Sequence, residues 1–414
     1  MTEPNLDAMA GQVFSALLAD THLSRPSDLP GVLAERGRGL GIEDLVMYLV
    51  DYEQETLVPV PGSPAGQRMV LRVEGTLGGR SFASGSIHEA DAGQPDRRRL
   101  WVPLIDGTDR LGVVEMTVPC SGGRVSPAQL AYSERYAHLT AQLLVGKGAY
   151  GDAFELARRR QPMSVAAELQ WTLLPPLVFA TRGVVVAGML EPCYTTGGDT
   201  FDYAVNDGMA HLAILDAMGH GLSAAGTAAL ALSAYRNARR QQLDLGGTYA
   251  AVDSVLVEQF RGERFVTGVL ARLDLDTGVL RWVNAGHPPP LLLRGGKLIK
   301  VLDRRPSTPL GVPFGEDPVP IAEEALEPSD RLLFYTDGVV EARTADGAFF
   351  TAQRLAEFLE RQSAGGLPTP ETLRRLGKAI LAHQDGQLQD DATVLLVEWQ
   401  RDAELDLLPQ TVDP

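Results

Sequence analysis

The sequence contains very little cysteine and no long hydrophobic run. Only two cysteines, Cys120 and Cys193, occur in 414 residues, and neither belongs to a recognisable metal or redox motif. This argues against a disulfide framework or a zinc site and fits a reducing compartment. No apolar stretch reaches transmembrane length, and the first residues lack the basic and apolar regions of a signal peptide. We therefore expect a cytoplasmic protein.

Positive charge is also in short supply. The chain has 37 Lys and Arg residues against 53 Asp and Glu residues, which gives a net charge of −16. Nucleic acids and anionic membranes bind basic surfaces, so the composition argues against both as partners. Hydrophobic residues make up 44% of the chain and charged residues 22%, the balance of a soluble globular protein. The length predicts two or three domains.

Turn signals and hydrophobic periodicity divide the chain into four segments. Residues 1–125 combine short helices with strands separated by Gly- and Pro-rich turns, among them Gly78-Gly79, which predicts a small α+β domain. Residues 126–175 have helical spacing after the N-cap pair Ser126-Pro127 and predict a helical linker. Residues 176–400 alternate strands with paired helices, which indicates two packed antiparallel sheets flanked by helices. Residues 401–414 form a C-terminal tail.

Four aspartates stand out because each is expected to end or follow an apolar strand and has glycine nearby. Asp199 follows a Gly-Gly pair, Asp216 closes HLAILD, Asp337 closes RLLFYTD, and Asp391 precedes ATVLLVEW. Strand ends are rigid, and glycine lets the backbone bend sharply and approach a ligand. Taken singly, each aspartate is well explained as a helix cap or a turn residue. The functional interpretation depends on all four together.

Several carboxylates gathered at strand ends would repel one another unless a cation lay among them. Oxygen ligands without a cluster of His or Cys favour a hard ion such as Mg²⁺ or Mn²⁺. Two such ions about 3.5–4 Å apart commonly activate a water for phosphoester cleavage. The aspartates therefore predict a hydrolytic site with two divalent cations, Mn²⁺ or Mg²⁺.

Six ordered motifs resemble those of a known family. They are GGDTFD at 197–202, ILDAMGHG at 214–221, NAGHPPPLLL at 284–293, PLGV at 309–312, LLFYTDGVVEAR at 332–343 and DDATVLLV at 390–397. Together they resemble the metal-dependent PPM (protein phosphatase 2C-like) serine/threonine phosphatases, in the SpoIIE/RsbU-type branch. The segment LQWTLLPP at 169–176 is similar to the helix that leads into these domains.

The resemblance implies an αββα sandwich and a role for each acidic residue. Asp216 would bridge both metal ions, and the backbone carbonyl of Ala217 would bind one of them. Asp337 and Asp391 would hold the second ion, while Asp199 would act on the first ion through water. These ions would activate a water that attacks the phosphorus of phosphoserine or phosphothreonine.

One further aspartate and two histidines have other parts in this scheme. Asp390 would support a further, weaker metal site. His220 follows the bridging aspartate in a Gly-His-Gly turn, where a structural role competes with contact to phosphate. His287 is interpreted as a packing or hydrogen-bonding residue, with direct catalysis as the alternative. Because all the acidic ligands are present, we expect an active enzyme.

The first domain resembles a GAF-type sensor through RRLWVPLIDGTDRLGVVEMTVP at 98–119. This resemblance implies that it binds a small-molecule or protein signal and relays it through the helical linker. The alternative is a domain that only dimerises. An apolar stripe along the linker favours a homodimer as the assembly.

The SpoIIE/RsbU resemblance also implies a partner. The substrate would be a phosphorylated STAS-domain anti-sigma-factor antagonist, whose dephosphorylation frees a sigma factor for transcription. Two other hypotheses stay open: a catalytically weak, signal-binding scaffold, and a metal-dependent hydrolase of small phosphoesters. The intact set of aspartates speaks against the scaffold.

Overall fold

A computed structural model describes residues 6–62, 68–195, 197–313, 318–344, 349–365, 367–385, 388, 390–399 and 404–408. The chain forms two compact units, one of Met1–Gln161 together with Leu407–Pro414 and the other of Pro162–Asp406. Within the described ranges, no helix is both long and apolar enough to cross a membrane. Of the expected tail at 401–414, only residues 404–408 fall within the described residues.

The first unit is built on one antiparallel sheet. Its strands are β1 (Glu43–Val50), β2 (Thr56–Pro59), β3 (Leu71–Arg72), β4 (His88–Asp91), β5 (Arg97–Asp106) and β6 (Asp109–Pro119). Its helices are α1 (Leu6–Thr21), α2 (Leu29–Gly37), α3 (Leu77–Ser84), α4 (Pro127–Gly148) and α5 (Ala153–Arg158). The strand order is β3-β2-β1-β6-β5-β4. Short 3₁₀ helices lie at Pro26–Asp28 and Arg38–Leu40 in this unit, and a third, Leu405–Leu407, spans the unit boundary after Asp406.

Both faces of this sheet are covered by helices. On one face, α1, α2 and α4 share a buried core with the strands, which includes Leu17, Leu33 and Tyr136. On the other face, Phe82 of α3 packs in a smaller cluster with Trp101. The unit is therefore mixed α/β, as the sequence predicts. Its likeness to a GAF-type sensor stays a prediction.

One turn predicted from sequence is instead the start of a helix. Gly78-Gly79 reads as a break between strands, but both residues lie in α3, which Thr76 caps by accepting a hydrogen bond from the Gly79 N–H at 3.0 Å. A Cβ on Gly79 would lie 1.8 Å from the carbonyl oxygen of Val73. Glycine is needed here for close packing rather than for a turn.

The helices expected to form a linker at 126–175 are divided between the two units. The Ser126 hydroxyl caps α4 by accepting a hydrogen bond from the Gln129 N–H at 3.2 Å, and Pro127 follows in the first turn, as predicted. The Tyr136 hydroxyl of α4 donates to the Leu33 carbonyl at 2.6 Å, inside the first unit. Helix α5 also lies in the first unit, whereas α6 (Val165–Leu173) belongs to the second.

The second unit contains two antiparallel sheets and several helix pairs. Its strands are β7 (Val178–Thr181), β8 (Val184–Glu191), β9 (Asp199–Asn206), β10 (Met209–Ala217), β11 (Val266–Asp274), β12 (Val279–Ala285), β13 (Leu291–Arg294), β14 (Lys297–Val301), β15 (Ala322–Ala325), β16 (Arg331–Tyr335) and β17 (Ala392–Trp399). Its other helices are α7 (Gly221–Arg240), α8 (Leu245–Phe260), α9 (Asp337–Val340), α10 (Ala352–Ala364) and α11 (Thr369–His383).

These elements form four layers in the order helix, sheet, sheet, helix. One sheet has the order β15-β12-β11-β10-β9 and the other β14-β13-β16-β17-β8-β7. Phe201, Trp282 and Phe334 are among the residues buried between the sheets. Helices α7 and α8 cover the outer face of the first sheet, and α10 and α11 cover that of the second. This is the αββα layering that the resemblance implies.

The inter-sheet core offers a test of this packing. A Cβ on Gly188 of β8 would lie 2.2 Å from the Phe201 ring, so Gly188→Ala overfills the core. We expect it to destabilise the protein by about 1–3 kcal/mol, seen as a lower melting temperature. Gly226 in α7 is the control, because a Cβ there meets nothing within 4 Å. Gly226→Ala should raise stability by roughly 0.5–1 kcal/mol. An unchanged melting temperature in Gly188→Ala would contradict the position of Phe201.

Candidate active site

Three polar side chains lie next to one another across the end of the first sheet. In the antiparallel pairing of β9 with β10, Asp199 is opposite Asp216. On the other side of β10, Thr267 of β11 is opposite Asp216. Residues paired in this way project to the same face, with Cβ atoms about 4.5–5.5 Å apart. We call Asp199, Asp216 and Thr267 the cross-strand row.

The position of Asp199 corrects one expectation from the sequence. Asp199 was expected to end or follow a strand, but it is the first residue of β9. Antiparallel pairing places the start of β9 beside the end of β10, so Asp199 still reaches Asp216. The two carboxylates therefore lie side by side as expected, although Asp199 begins its strand instead of ending it.

The second sheet supplies Asp337 and Asp391 from two adjacent strands. Asp337 begins α9 two residues after the end of β16, and Asp391 directly precedes β17. Asp391 is buried, and its Oδ2 accepts hydrogen bonds from the N–H groups of Gly197 at 2.5 Å and Asp199 at 3.4 Å. These bonds tie the start of β9 in the first sheet to β17 in the second.

A buried threonine makes a second connection between the sheets. The Thr336 hydroxyl donates to Asp199 Oδ2 at 2.6 Å and accepts a hydrogen bond from the Thr393 N–H at 3.0 Å. It therefore fixes the orientation of the Asp199 carboxylate. Sequence analysis did not single out Thr336. Its position directly before Asp337 was the only available signal.

Gln170 of α6 supports the same region through the backbone. Its side chain is only 2% exposed, and its Nε2 donates to the carbonyl oxygens of Gly197 at 2.9 Å and Asp199 at 2.6 Å. The motif LQWTLLPP pointed to this helix but not to Gln170. The helix before the sandwich therefore helps to hold the strand that begins with Asp199.

Two glycines allow the backbone segments of the site to approach closely. A Cβ on Gly198 would lie 2.2 Å from the carbonyl oxygen of Ala217. A Cβ on Gly338 would lie 1.9 Å from the carbonyl oxygen of Asp391. Any larger residue at these positions would push apart the strand ends that carry the aspartates.

Burial and mutual repulsion raise the pKa values of the carboxyl groups. For Asp216, burial and the charges of Asp337, Asp390 and Asp391 raise the pKa to about 7. For Asp199, burial and then the charges of Asp216 and Asp391 raise the pKa well above its usual range. Each group thus favours its protonated form unless a positive charge is present.

Asp391 and Asp337 are shifted in the same direction. Burial raises the pKa of Asp391 to about 6, although the backbone N–H groups of Gly197 and Asp199 act against this rise. Partial burial, with the charges of Asp390 and Glu341, raises the pKa of Asp337. The four aspartates therefore form one region in which negative charge is poorly compensated.

Asp390 and the two histidines occupy different surroundings. Asp390 is exposed and accepts the Asp391 N–H at 2.9 Å. It lines a cleft of about 150 Å³ with six other residues: Asp337, Gly338, Glu341, Ala342, Arg343 and Gln384. His220 is exposed at the N-cap of α7 and makes no side-chain cap bond there. His287 is buried and contacts Thr267 of the cross-strand row.

The donor chemistry of this region fits hard divalent cations. Among the described residues, no three His, Cys, Asp or Glu side chains are already arranged tightly enough to hold a metal ion. However, the side-chain donors predicted as ligands are all carboxylates, and their raised pKa values are what a bound cation would reverse. The assignment of Asp199, Asp216, Ala217, Asp337, Asp390 and Asp391 as metal ligands stays a prediction.

An αββα sandwich with carboxylates gathered at the ends of both sheets has the architecture of PPM-type serine/threonine phosphatases. The family model described as "Stage II sporulation protein E (SpoIIE)" matches residues 206–400. The match includes Asp216, Asp337 and Asp391, whereas Asp199 lies just before it. The chain therefore carries a SpoIIE/PP2C-type phosphatase domain of the PPM family, as its motifs indicate.

Several individual proteins are similar to parts of the chain. The chain is 22% identical over 239 residues to phosphoserine phosphatase RsbU of Bacillus subtilis (strain 168), covering 58% of this chain and 70% of RsbU. It is 32% identical over 149 residues to protein IcfG of Synechocystis, covering 35% of this chain and 22% of that protein. A crystal structure of the RsbU and RsbW domains of a Mycobacterium tuberculosis protein has a TM-score of 0.45 and 26% identity, covering 53% and 60% of the two chains.

The raised pKa values predict how pH affects the metal-free protein. An unfolded Asp titrates near pH 3.9, whereas folded Asp216 titrates near pH 7. Between these values the folded state holds more protons, so its stability falls as pH rises from about 4 to about 7. We expect EDTA-treated protein to melt at a lower temperature at pH 8 than at pH 5.5.

Asp216→Asn should reduce this pH dependence, because it removes one of the titrating carboxyls. Asp207→Asn, in the exposed turn between β9 and β10, is a matched control outside the site. A melting temperature that rises with pH in the metal-free wild-type protein would contradict the described burial of the aspartates.

Proposed function

We propose that the second unit is a metal-dependent protein serine/threonine phosphatase that hydrolyses phosphoserine or phosphothreonine. The observation that carries this proposal is the convergence of Asp199 and Asp216 from one sheet with Asp391 from the other. Hydrogen bonds between the sheets and shared electrostatic repulsion both report that these groups are close. The SpoIIE-type family match over the same unit supports the reaction class.

The proposed ligand roles are unequal. Asp216 would hold both of two ions, Mn²⁺ or Mg²⁺, and the Ala217 carbonyl would hold one of them. Asp337 and Asp391 would hold the second ion, and Asp199 would act on the first through water. Asp390 would support a further, weaker site at the cleft. When bound, the ions supply an activated water and neutralise charge on the phosphoryl oxygens.

The surrounding residues prepare this region before any ion binds. Thr336 holds one oxygen of Asp199, and the Gly197 N–H holds one oxygen of Asp391. Fixing ligands through such outer contacts reduces the reorganisation that binding requires. Met218 and His220 are exposed beside the end of β10, so a phosphorylated side chain on another protein has access.

We further propose that the substrate is a phosphorylated STAS-domain anti-sigma-factor antagonist. The six ordered motifs and the similarity to phosphoserine phosphatase RsbU support this choice. We also propose that the first unit is a GAF-like sensor for a small-molecule or protein signal, because residues 98–119 resemble that family. The apolar stripe along residues 126–175 supports a homodimer, and the composition supports a cytoplasmic protein. Removal of the phosphate would then regulate sigma-factor-dependent transcription.

The decisive measurement is turnover of a phosphorylated STAS-domain protein or a phosphoserine peptide with Mn²⁺ or with EDTA. We expect activity only with metal. Asp216→Asn should lose at least about 100-fold in activity, because it removes a ligand rather than an outer contact, whose loss costs roughly 10- to 100-fold. Asp276→Asn, in the exposed β11–β12 turn, is the matched control and should match the wild type. Activity that survives both EDTA and Asp216→Asn would rule out the metal-dependent reaction.

The same assay separates protein substrates from small ones. Wild-type protein is given p-nitrophenyl phosphate and the phosphoproteins in parallel at saturating Mn²⁺. We expect a much higher kcat/KM for a phosphoprotein, because contacts remote from the phosphate contribute binding energy. Efficient cleavage of the small ester with no activity on any phosphoprotein would favour a small-phosphoester hydrolase instead.

A further inference from the structure

His287 is a buried histidine beside the cross-strand row, and the proposed ligand scheme assigns it no task. It follows the end of β12 and is 5% exposed. Its Nδ1 lies 2.9 Å from the Thr267 hydroxyl oxygen. Its buried Nε2 makes no hydrogen bond of ordinary geometry within the described residues, and the ring interacts with the backbone of Tyr335.

The backbone around His287 holds the ring in place. Asn284 Oδ1 accepts the His287 N–H at 2.7 Å, and Asn284 Nδ2 donates to the His287 carbonyl at 2.8 Å. Gly286 has φ +67°, and a Cβ there would lie 3.0 Å from Pro309. Because both sides of the turn are constrained, the ring direction is set by the chain rather than by solvent.

The ring also has a defined hydrogen-bonding character. Burial lowers the pKa of His287 to about 3, so the imidazole is neutral near neutral pH. A neutral imidazole has one donor and one acceptor nitrogen. With the proton on Nδ1, the ring donates to the Thr267 oxygen, and the Thr267 hydroxyl proton is left to donate to a further acceptor.

Thr267 connects this ring to the proposed metal ligands. It is the direct cross-strand partner of Asp216 in β10–β11, so the two side chains share a face of the sheet. Tyr335, on the other side of the ring, lies two residues before Asp337. His287 thus lies between the strand that carries the bridging aspartate and the strand that leads to Asp337.

We propose that His287 and Thr267 form a positioning pair for the metal centre: the imidazole fixes the Thr267 hydroxyl, and that hydroxyl fixes the Asp216 carboxylate in a metal-binding orientation. The pair acts through Asp216 and needs no contact with substrate. This inference rests on the proposed function in so far as Asp216 is a metal ligand.

The test measures Mn²⁺ binding to the full chain by isothermal titration calorimetry, without any substrate. Thr267→Val keeps the shape of the side chain but removes the hydroxyl, and His287→Ala removes the ring. Both should weaken Mn²⁺ binding about tenfold or more, as loss of outer-shell partners does. Thr267→Ser and His287→Asn retain a hydroxyl and a polar partner, and each should restore binding to near the wild-type level.

The double variant distinguishes a pair from two separate contributions. If the two residues act through one hydrogen bond, the double variant Thr267→Val/His287→Ala should have about the same Mn²⁺ affinity as the single variant with the lower affinity. His211→Ala is the matched control, because His211 is half-buried on β10 about 17 Å along the strand from Asp216. It should leave Mn²⁺ binding unchanged.

A purely structural role would have a different signature. Single variants that melt at a lower temperature but bind Mn²⁺ like the wild type would overturn the proposal. A double variant whose loss of Mn²⁺ affinity equals the product of the two single losses would also overturn it. If His287→Ala does not fold, Thr267→Val against Thr267→Ser decides alone. At saturating Mn²⁺, the KM for a phosphoprotein should be unchanged.

The experiments distinguish failure of the proposed phosphatase function from failure of the proposed positioning pair. If the wild-type protein binds Mn²⁺ with the expected variant pattern but turns over no phosphoprotein, the proposed function fails and the positioning pair stands. If the wild-type protein is active and the variants bind Mn²⁺ normally, the pair fails alone.

Discussion

Repulsion among buried carboxylates is the constraint around which the second unit is organised. Burial raises the pKa values of Asp199, Asp216 and Asp391. The charges of Asp216 and Asp391 raise the pKa of Asp199 further, and the charge of Asp391 does the same for Asp216. Such an arrangement is unfavourable by itself, since each charge loses hydration and meets like charges. It persists because the apolar cores of the four-layer sandwich stabilise the backbone that carries it. The acidic site therefore lowers the stability of the folded protein locally, the rigid scaffold keeps it in place, and a bound cation would offset the loss of stability.

Antiparallel pairing gives this scaffold its geometry. The position of β10 between β9 and β11 places Asp216 between Asp199 and Thr267. Hydrogen bonds from the Gly197 N–H and the Thr336 hydroxyl connect these strand ends to the second sheet. Asp199, Asp216 and Asp337 lie within regular elements, and Asp391 directly precedes β17. The carboxylates of Asp199 and Asp391 are held by backbone N–H groups and by the short Thr336 side chain, which has few rotamers, so their directions are well defined.

Sequence reasoning succeeded where a local pattern reflects a local cause. Apolar runs predicted β10, β16 and β17, and strand-end aspartates beside glycines predicted the acidic centre. The family match confirms the phosphatase domain that the ordered motifs indicate. Sequence reasoning missed Gln170 and Thr336, because their hydrogen-bond partners lie 29 and 137 residues away and no periodicity in the sequence indicates such pairings. It also misread Gly78-Gly79, since a glycine needed for close packing looks the same as one needed for a turn.

The bond from the Gly197 N–H to Asp391 joins residues that are 194 positions apart. Asp391 leads into β17, which pairs with both β16 and β8 and so completes the middle of its sheet. During synthesis, almost the whole second unit must leave the ribosome before this strand can be inserted. The acidic centre consequently assembles among the last features of the domain, so an unfinished chain cannot hold the complete set of aspartates.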